Sequence, residues 1–288
     1  MSTISVTPLV VGGIPVDVYR CPSDIDSSSP IYALFVLHGR SQLTKDVEHL
    51  INTILEYNHE HMAFHKNRDL IILAFDHRNH GRRLIDARRN EAWHQNLARN
   101  NPQHAVDMYS IQTGTALDVS FIMDHISSHL YPMGERNIVE WGIAGYSLGG
   151  HSTWIALARE PRLRIGIPIV GCPDYAKLIA HRAQTTDLPF APPYYPEHLM
   201  SYVDKHDPAS SPFRAKDRSN PFLGKRILIL SAGKDTLVPW SVSKDFAEGL
   251  YIGDGVKCVV VEEDAGHECT PLMIKEIVLF IQDWLNGE

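Results

Sequence analysis

A serine between small residues stands at Gly145-Tyr146-Ser147-Leu148-Gly149-Gly150, where an apolar, β-prone run meets an Ala-rich helical one. The Gly-x-Ser-x-Gly spacing suits a nucleophile elbow, in which a strand turns sharply into a helix and holds the serine in a strained backbone conformation. The residues two positions away on either side must then be small, as Gly145 and Gly149 are. The hydroxyl stands at a helix start, where free N–H groups and the positive end of the helix dipole favour an anion. A serine hydroxyl is a poor nucleophile without a base, so a base and its partner must come from elsewhere. Asp235 in Ser231–Pro239 and His267 in Asp264–Glu268 each follow a β-prone run. Serine, acid, histidine is one of the chain orders in which such triads occur. Asp174, past the run ending at Val170, is a second candidate acid, and His151, four residues beyond Ser147, a second candidate base. Asp76 precedes the serine and suits a loop-ordering role better, while Cys172 and Cys269 read as core or near-site thiols.

The elements that must carry these residues alternate. Ser5–Val11 and Pro15–Cys21, split by Gly12-Gly13, read as a hairpin, and Pro22–Pro30 as a polar loop. Ile31–Leu37 and Leu70–Phe75 are continuous apolar runs, as expected of strands buried on both faces. Asp46–His61 has helical spacing, as does Asp107–Leu130, while Arg82–Gln103 is polar and charged, a loop with some helix and Trp93 embedded in it. Asn137–Ala144 leads into the serine turn, and Arg164–Val170 is a strand despite Pro168. After Tyr175–Pro221 come a strand at Ile227–Leu230, a helix at Ser241–Leu250, a strand at Lys257–Val261 and a helix at Thr270–Leu285. This order predicts an α/β fold, a mostly parallel central sheet with helices on both faces. Loops at the carboxyl ends of such strands gather on one sheet edge, where ligands bind. His38-Gly39-Arg40, Ser147, Asp235 and His267 all fall there.

The chain has 288 residues, 44% of them hydrophobic, which suits one large domain with an insertion. A net charge of −7 without a basic block argues against a nucleic-acid partner. The first residues show no secretory pattern, and no early apolar run is long enough to span a membrane. The four cysteines, Cys21, Cys172, Cys258 and Cys269, show no Cys-x-x-Cys spacing and read as reduced, mostly buried thiols of a cytoplasmic protein. The sixteen histidines include a group at His59, His61 and His65 and a pair at His77 and His80, without the helical His-x-x-x-His pair of a zinc hydrolase. No metal or organic cofactor is implied.

From about Ile31 to the C-terminus the chain resembles the serine hydrolases of the α/β-hydrolase superfamily, on the His-Gly, Gly-x-Ser-x-Gly, Asp-loop and Gly-His motifs together. Asp76-His-Arg-Asn-His-Gly81 and His104–Tyr109 are also similar to esterases of the dienelactone-hydrolase and prolyl-oligopeptidase-like branch. The resemblance implies that Ser147 attacks an acyl carbonyl, His267 is the general base and Asp235 orients it. It places the oxyanion donors on the backbone N–H groups of Leu148 and Arg40. The Arg40 guanidinium has two uses open to it, a surface salt bridge or a contact with an anionic or polar substrate group. Arg82 and Arg83 read as a solvated charge pair. The resemblance also implies that 175–221 is a cap inserted into a core of 1–174 and 222–288. His38, Gly39, Tyr146, Trp240, Tyr194 and Tyr195 are candidate pocket residues, although Trp240 suits packing better and His151 suits a packed or capping role. The implied activity is that of a carboxylesterase for a small ester. A peptidase, thioesterase or lactonase with the same triad, or a non-catalytic binder, stands as the alternative.

Overall fold

The computed structural model describes residues 4–21, 29–61 and 68–287. Most of the expected 22–30 loop and His65 lie outside them. Eight strands, β1 (Ser5–Val11), β2 (Ile14–Arg20), β3 (Ile31–Leu37), β4 (Asp69–Phe75), β5 (Ile138–Tyr146), β6 (Leu163–Ile169), β7 (Arg226–Ala232) and β8 (Val256–Glu262), form one sheet. Their order is β1-β2-β4-β3-β5-β6-β7-β8. The β1–β2 and β2–β4 pairs are antiparallel and the rest parallel. Among the described residues seven α-helices flank it: α1 (Glu48–Glu60), α2 (His104–Leu130), α3 (Leu148–Arg159), α4 (Tyr175–Thr185), α5 (Glu197–His206), α6 (Trp240–Gly249) and α7 (Pro271–Asn286).

Side-chain alternation explains why β3 reads as unbroken apolar sequence. Ile31, Ala33, Phe35 and Leu37 enter one core, with Ile111 and Val119 of α2, Trp154 of α3 and Phe246 of α6. Tyr32, Leu34 and Val36 enter the opposite core, with Ile51 and Ile54 of α1 and Ile277 and Trp284 of α7. Both faces of the central sheet are thus covered, and every residue of β3 and β4 is buried. Pro168 is tolerated because β6 pairs with β5 there, at Gly145, whereas β6 pairs with β7 at Ile165, Gly166 and Ile169 and not at Pro168.

Several boundaries move. The strand into the serine extends to Tyr146, so no spacer separates it from Ser147. The long helix begins at His104, and residues 82–103 hold short 3-10 turns and no α-helix. Among the described residues no helix is long and apolar enough to cross a membrane.

The 175–221 segment packs tightly on the core beneath it. Tyr175, Ile179 and Ala183 of α4, Tyr195, and Val203 of α5 join the core that contains α2 and α3. Asp207, just past α5, ties three elements together. Its carboxyl accepts from the Tyr175 N–H at 2.9 Å and from the Tyr109 hydroxyl of α2 at 3.3 Å. Burial pushes its pKa up to about 8, against the lowering effect of the Tyr175 N–H, and nearby Asp174 raises it further. The carboxyl therefore stays protonated in the fold at a pH where the unfolded chain would ionise it. Its stabilising contribution is complete below about pH 4 and falls as pH rises towards 8. Asp207→Asn cannot ionise. The Tm of the variant minus that of the wild type should therefore rise between pH 5 and pH 8 in scanning calorimetry, and a flat difference would contradict this assignment.

Candidate active site

The serine turn is built by close backbone approach. Ser147 has φ 52° and ψ −108°, a conformation unfavourable for a residue with a side chain. Its N–H donates to the Ile169 carbonyl of β6 at 2.9 Å, and the Gly149 N–H to the His38 carbonyl beyond β3 at 3.1 Å. A Cβ on Gly145 would lie 2.3 Å from the Gly149 backbone, and one on Gly149 would lie 2.5 Å from the Leu37 carbonyl oxygen. The two glycines are small because backbone occupies the space.

Two short hydrogen bonds link the three candidate residues. Ser147 Oγ lies 2.7 Å from His267 Nε2, and His267 Nδ1 lies 2.7 Å from Asp235 Oδ2. Asp235 is buried past the end of β7. Its other oxygen accepts from the N–H groups of Leu237 and Val238 at 2.8 and 2.9 Å, which aims Oδ2 at the imidazole. Burial alone would raise this carboxyl, but the His267 hydrogen bond, with the Val238 N–H, the His267 charge and the Leu237 N–H, holds it below the ordinary value. With Asp235 ionised, His267 Nδ1 carries the proton and Nε2 is left to accept from the Ser147 hydroxyl. The Tyr146 hydroxyl donates to the His267 carbonyl at 2.9 Å and fastens the histidine loop to β5.

The rival residues are engaged elsewhere. Asp174 caps α4 by accepting from the Lys177 N–H. His151 is buried, its Nδ1 accepting from the Cys172 N–H at 2.8 Å, and burial lowers its pKa to about 3. Asp76 orders loops, accepting from the N–H groups of Thr44 and Arg82 and from the Arg82 guanidinium. None of the four cysteines is in a disulfide, and only Cys172 is buried. Burial pushes the thiols of Cys172 and Cys269 up to about 12, which disfavours the thiolate.

The backbone N–H groups of Leu148 and Arg40 face no acceptor among the described residues. The second is placed by a histidine network. His77 Nε2 donates to the His38 carbonyl at 2.8 Å, and the His77 N–H donates to His38 Nε2 at 3.0 Å. His77 Nδ1 then accepts from Thr115 Oγ1 at 2.8 Å. Burial holds His38 near 4 and His77 well below the usual imidazole value, so both rings are neutral, as this network requires.

A cavity of about 310 Å³ opens over Ser147 and His267, walled by Arg40, Trp93, His104, Tyr146, Arg182 and Leu237 among others. Of the expected pocket residues, Tyr146 lines it. His38 is fully buried beneath the floor and Gly39 bonds to Gln42. Tyr195 is buried against the core, stacked on Phe190, while Tyr194 makes a T-shaped contact with Trp93 and does not line the cavity. Trp240 packs against the same core. Arg82 and Arg83 are not a solvated pair: Arg82 bridges Asp17 and Asp76, and Arg83 meets Asp118. Arg182 and His104 were not candidates from the sequence, since each belongs to a helix whose placement depends on packing. Among the described residues no cluster of three metal-ligating side chains occurs.

No protein-family model matches the chain, and no curated protein does. Solved structures do. The chain is similar to the TT1662 protein of Thermus thermophilus, with a TM-score of 0.69 and 19% identity over 99% of this chain and 100% of that one. It is also similar to the esterase Pf2001 of Pyrococcus furiosus, with a TM-score of 0.56 and 18% identity over 99% of this chain and 92% of the esterase. An acylaminoacyl peptidase of Pyrococcus horikoshii gives a TM-score of 0.53 and 13% identity over 98% of this chain and 41% of the peptidase. With the sheet order above, these neighbours define the fold as that of the α/β-hydrolases.

The backbone contact at Gly149 yields a test. Gly149→Ala would force Leu37 and the elbow apart, and overpacking of this kind costs about 1–3 kcal/mol. The urea midpoint should fall accordingly. An unchanged midpoint would show that the turn has slack.

Proposed function

We propose that the chain is a serine hydrolase of the carboxylesterase type, which cleaves an ester through an acyl-enzyme on Ser147. The observation that supports this best is the pair of 2.7 Å hydrogen bonds running from Ser147 Oγ through His267 to Asp235. In this reading His267 Nε2 takes the hydroxyl proton as Oγ attacks the acyl carbon, and Asp235 stabilises the imidazolium that forms. The tetrahedral oxygen is received by the N–H groups of Leu148 and Arg40. Each such donor contributes typically about 2.7–4 kcal/mol of barrier lowering. His267 then protonates the leaving alcohol, the acyl-enzyme forms, and water, deprotonated by the same nitrogen, releases the acid.

A cavity of about 310 Å³ suits a small ester better than an extended peptide. Segment 175–221 acts as the cap: Arg182, Thr185 and Thr186 at the end of α4 supply one wall. Cysteines outside any disulfide fit a reducing, cytoplasmic setting.

A fluorophosphonate probe should label the wild type and fail on Ser147→Ala; absence of labelling in folded wild type would sink the reading. Asp235→Asn should lower kcat on a p-nitrophenyl ester by roughly four orders of magnitude, whereas Asp174→Asn should keep the activity. The reverse pattern would transfer the acid role to Asp174.

A further inference from the structure

The arginines near the site divide into two kinds. Arg78, Arg82, Arg83 and Arg89, after β4, all meet carboxylates. Arg40 and Arg182, on the cavity wall, make no ion pair among the described residues, and no Asp or Glu lines the cavity. Both are instead held by neutral acceptors. Arg40 Nη1 donates to the Asn90 carbonyl at 2.8 Å. Arg182 Nη1 donates to His104 Nε2 at 3.1 Å, while His104 Nδ1 donates to the Glu91 carbonyl at 3.0 Å. Burial keeps His104 well below the usual imidazole value, so this ring is neutral and supplies no charge.

Two guanidinium groups are thereby fixed at one cavity without a carboxylate in salt-bridge contact among the described residues; Glu91 acts on Arg40, and Asp235 on Arg182, only from beyond that distance. Burial lowers Arg182 to about 10, with Tyr175 opposing and the Arg40 charge adding to the effect, yet it remains cationic at neutral pH. Partly desolvated charge of one sign is unfavourable unless something pairs with it. Guanidinium matches planar oxyanions through paired N–H donors. The anchoring bonds use one Nη1 of each arginine and leave other donors over.

We propose that Arg40 and Arg182 receive an anionic group of the substrate, so that the ester carries a second, negatively charged function, a carboxylate or a phosphate, beside the bond attacked by Ser147. This rests on the esterase reading for its chemistry, but the binding of an anion can be measured without turnover.

The test has two arms. In the first, Ser147→Ala protein is titrated by calorimetry with monomethyl glutarate, its neutral dimethyl ester and inorganic phosphate. Monomethyl glutarate or phosphate should bind well above the dimethyl ester, and the one that binds more tightly identifies the source of the anion. Adding Arg182→Gln should weaken that binding roughly ten- to a hundredfold, the range of one charge-assisted hydrogen bond. Equal binding of charged and neutral compounds, or no binding of either anion, would overturn the proposal. In the second arm, kcat/KM for mono-p-nitrophenyl glutarate is divided by that for p-nitrophenyl butyrate. The ratio should fall by a similar factor in Arg182→Gln and Arg40→Gln, mainly through KM, and fall less in Arg182→Lys. An unchanged ratio in variants that melt normally would refute the arginine role and leave the esterase reading intact. Loss of both hydrolyses in the wild type, with anion binding retained, would refute the esterase reading alone.

Discussion

The hydrogen bond from the Gly149 N–H to the His38 carbonyl is the contact on which the site depends. It joins the first turn of α3 to the end of β3, across a gap too narrow for a side chain. Because the His38 carbonyl is pinned, the chain leaving β3 has one direction, and Arg40 is set beside the serine. The same carbonyl accepts from His77 Nε2, so the loop after β4 is tied in as well. Three adjacent parallel strands, β4, β3 and β5, therefore meet at one backbone oxygen. The strain in Ser147 is sustained by this junction and by the Ile169 carbonyl of β6, which receives its N–H.

Neutral histidines serve this junction better than charged groups would. An imidazole that donates through one nitrogen and accepts through the other continues a hydrogen-bond chain in a buried place without the desolvation cost of an ion. His38, His77 and His104 are all used in this way. Charge lining or adjoining the cavity is kept at two places, apart from the Asp76–Arg82 and Asp118–Arg83 pairs that order the loop after β4. One is Asp235, whose negative end is matched by His267 and two N–H groups. The other is the cavity wall, where the positive ends of Arg40 and Arg182 meet only neutral acceptors. The site therefore combines a balanced hydrogen-bonded line, Ser147–His267–Asp235, with an unbalanced wall, and the proposed anion would meet that imbalance.

This division also separates what the sequence reveals from what it conceals. Ser147, Asp235 and His267 each follow a β-prone run and carry local signatures, because a parallel strand delivers its next few residues to a fixed edge of the sheet. The sheet itself was legible for the same reason: β3 and β4 are apolar throughout only because both faces are covered. Of the two wall arginines, only Arg40, which follows β3, had such a signature. Arg182 lies on α4 among polar residues, and nothing in its neighbours distinguishes it from a solvated arginine. The aromatics of the proline-rich segment were more conspicuous and more misleading. Tyr195 and its neighbours carry large apolar areas, and the core below claimed them before the cavity could.

The same packing bears on how the cavity is shaped. A cap that opens as a lid is drawn from weakly packed parts of a fold. Here α4 enters the core through Tyr175, Ile179 and Ala183, and the Asp207 carboxyl joins α4 to α2 and to the end of α5. The Tyr175 hydroxyl donates further to the Ala105 carbonyl at 2.5 Å, a second bond between the same helices. Arg182 lies two turns along α4 from Tyr175, and His104, which holds it, opens α2. The bonds that fasten segment 175–221 thus run between the same two helices that position the guanidinium. Such packing makes a fixed wall rather than a lid, and under the proposed esterase reading selectivity would rest on the charge and shape already present in the cavity.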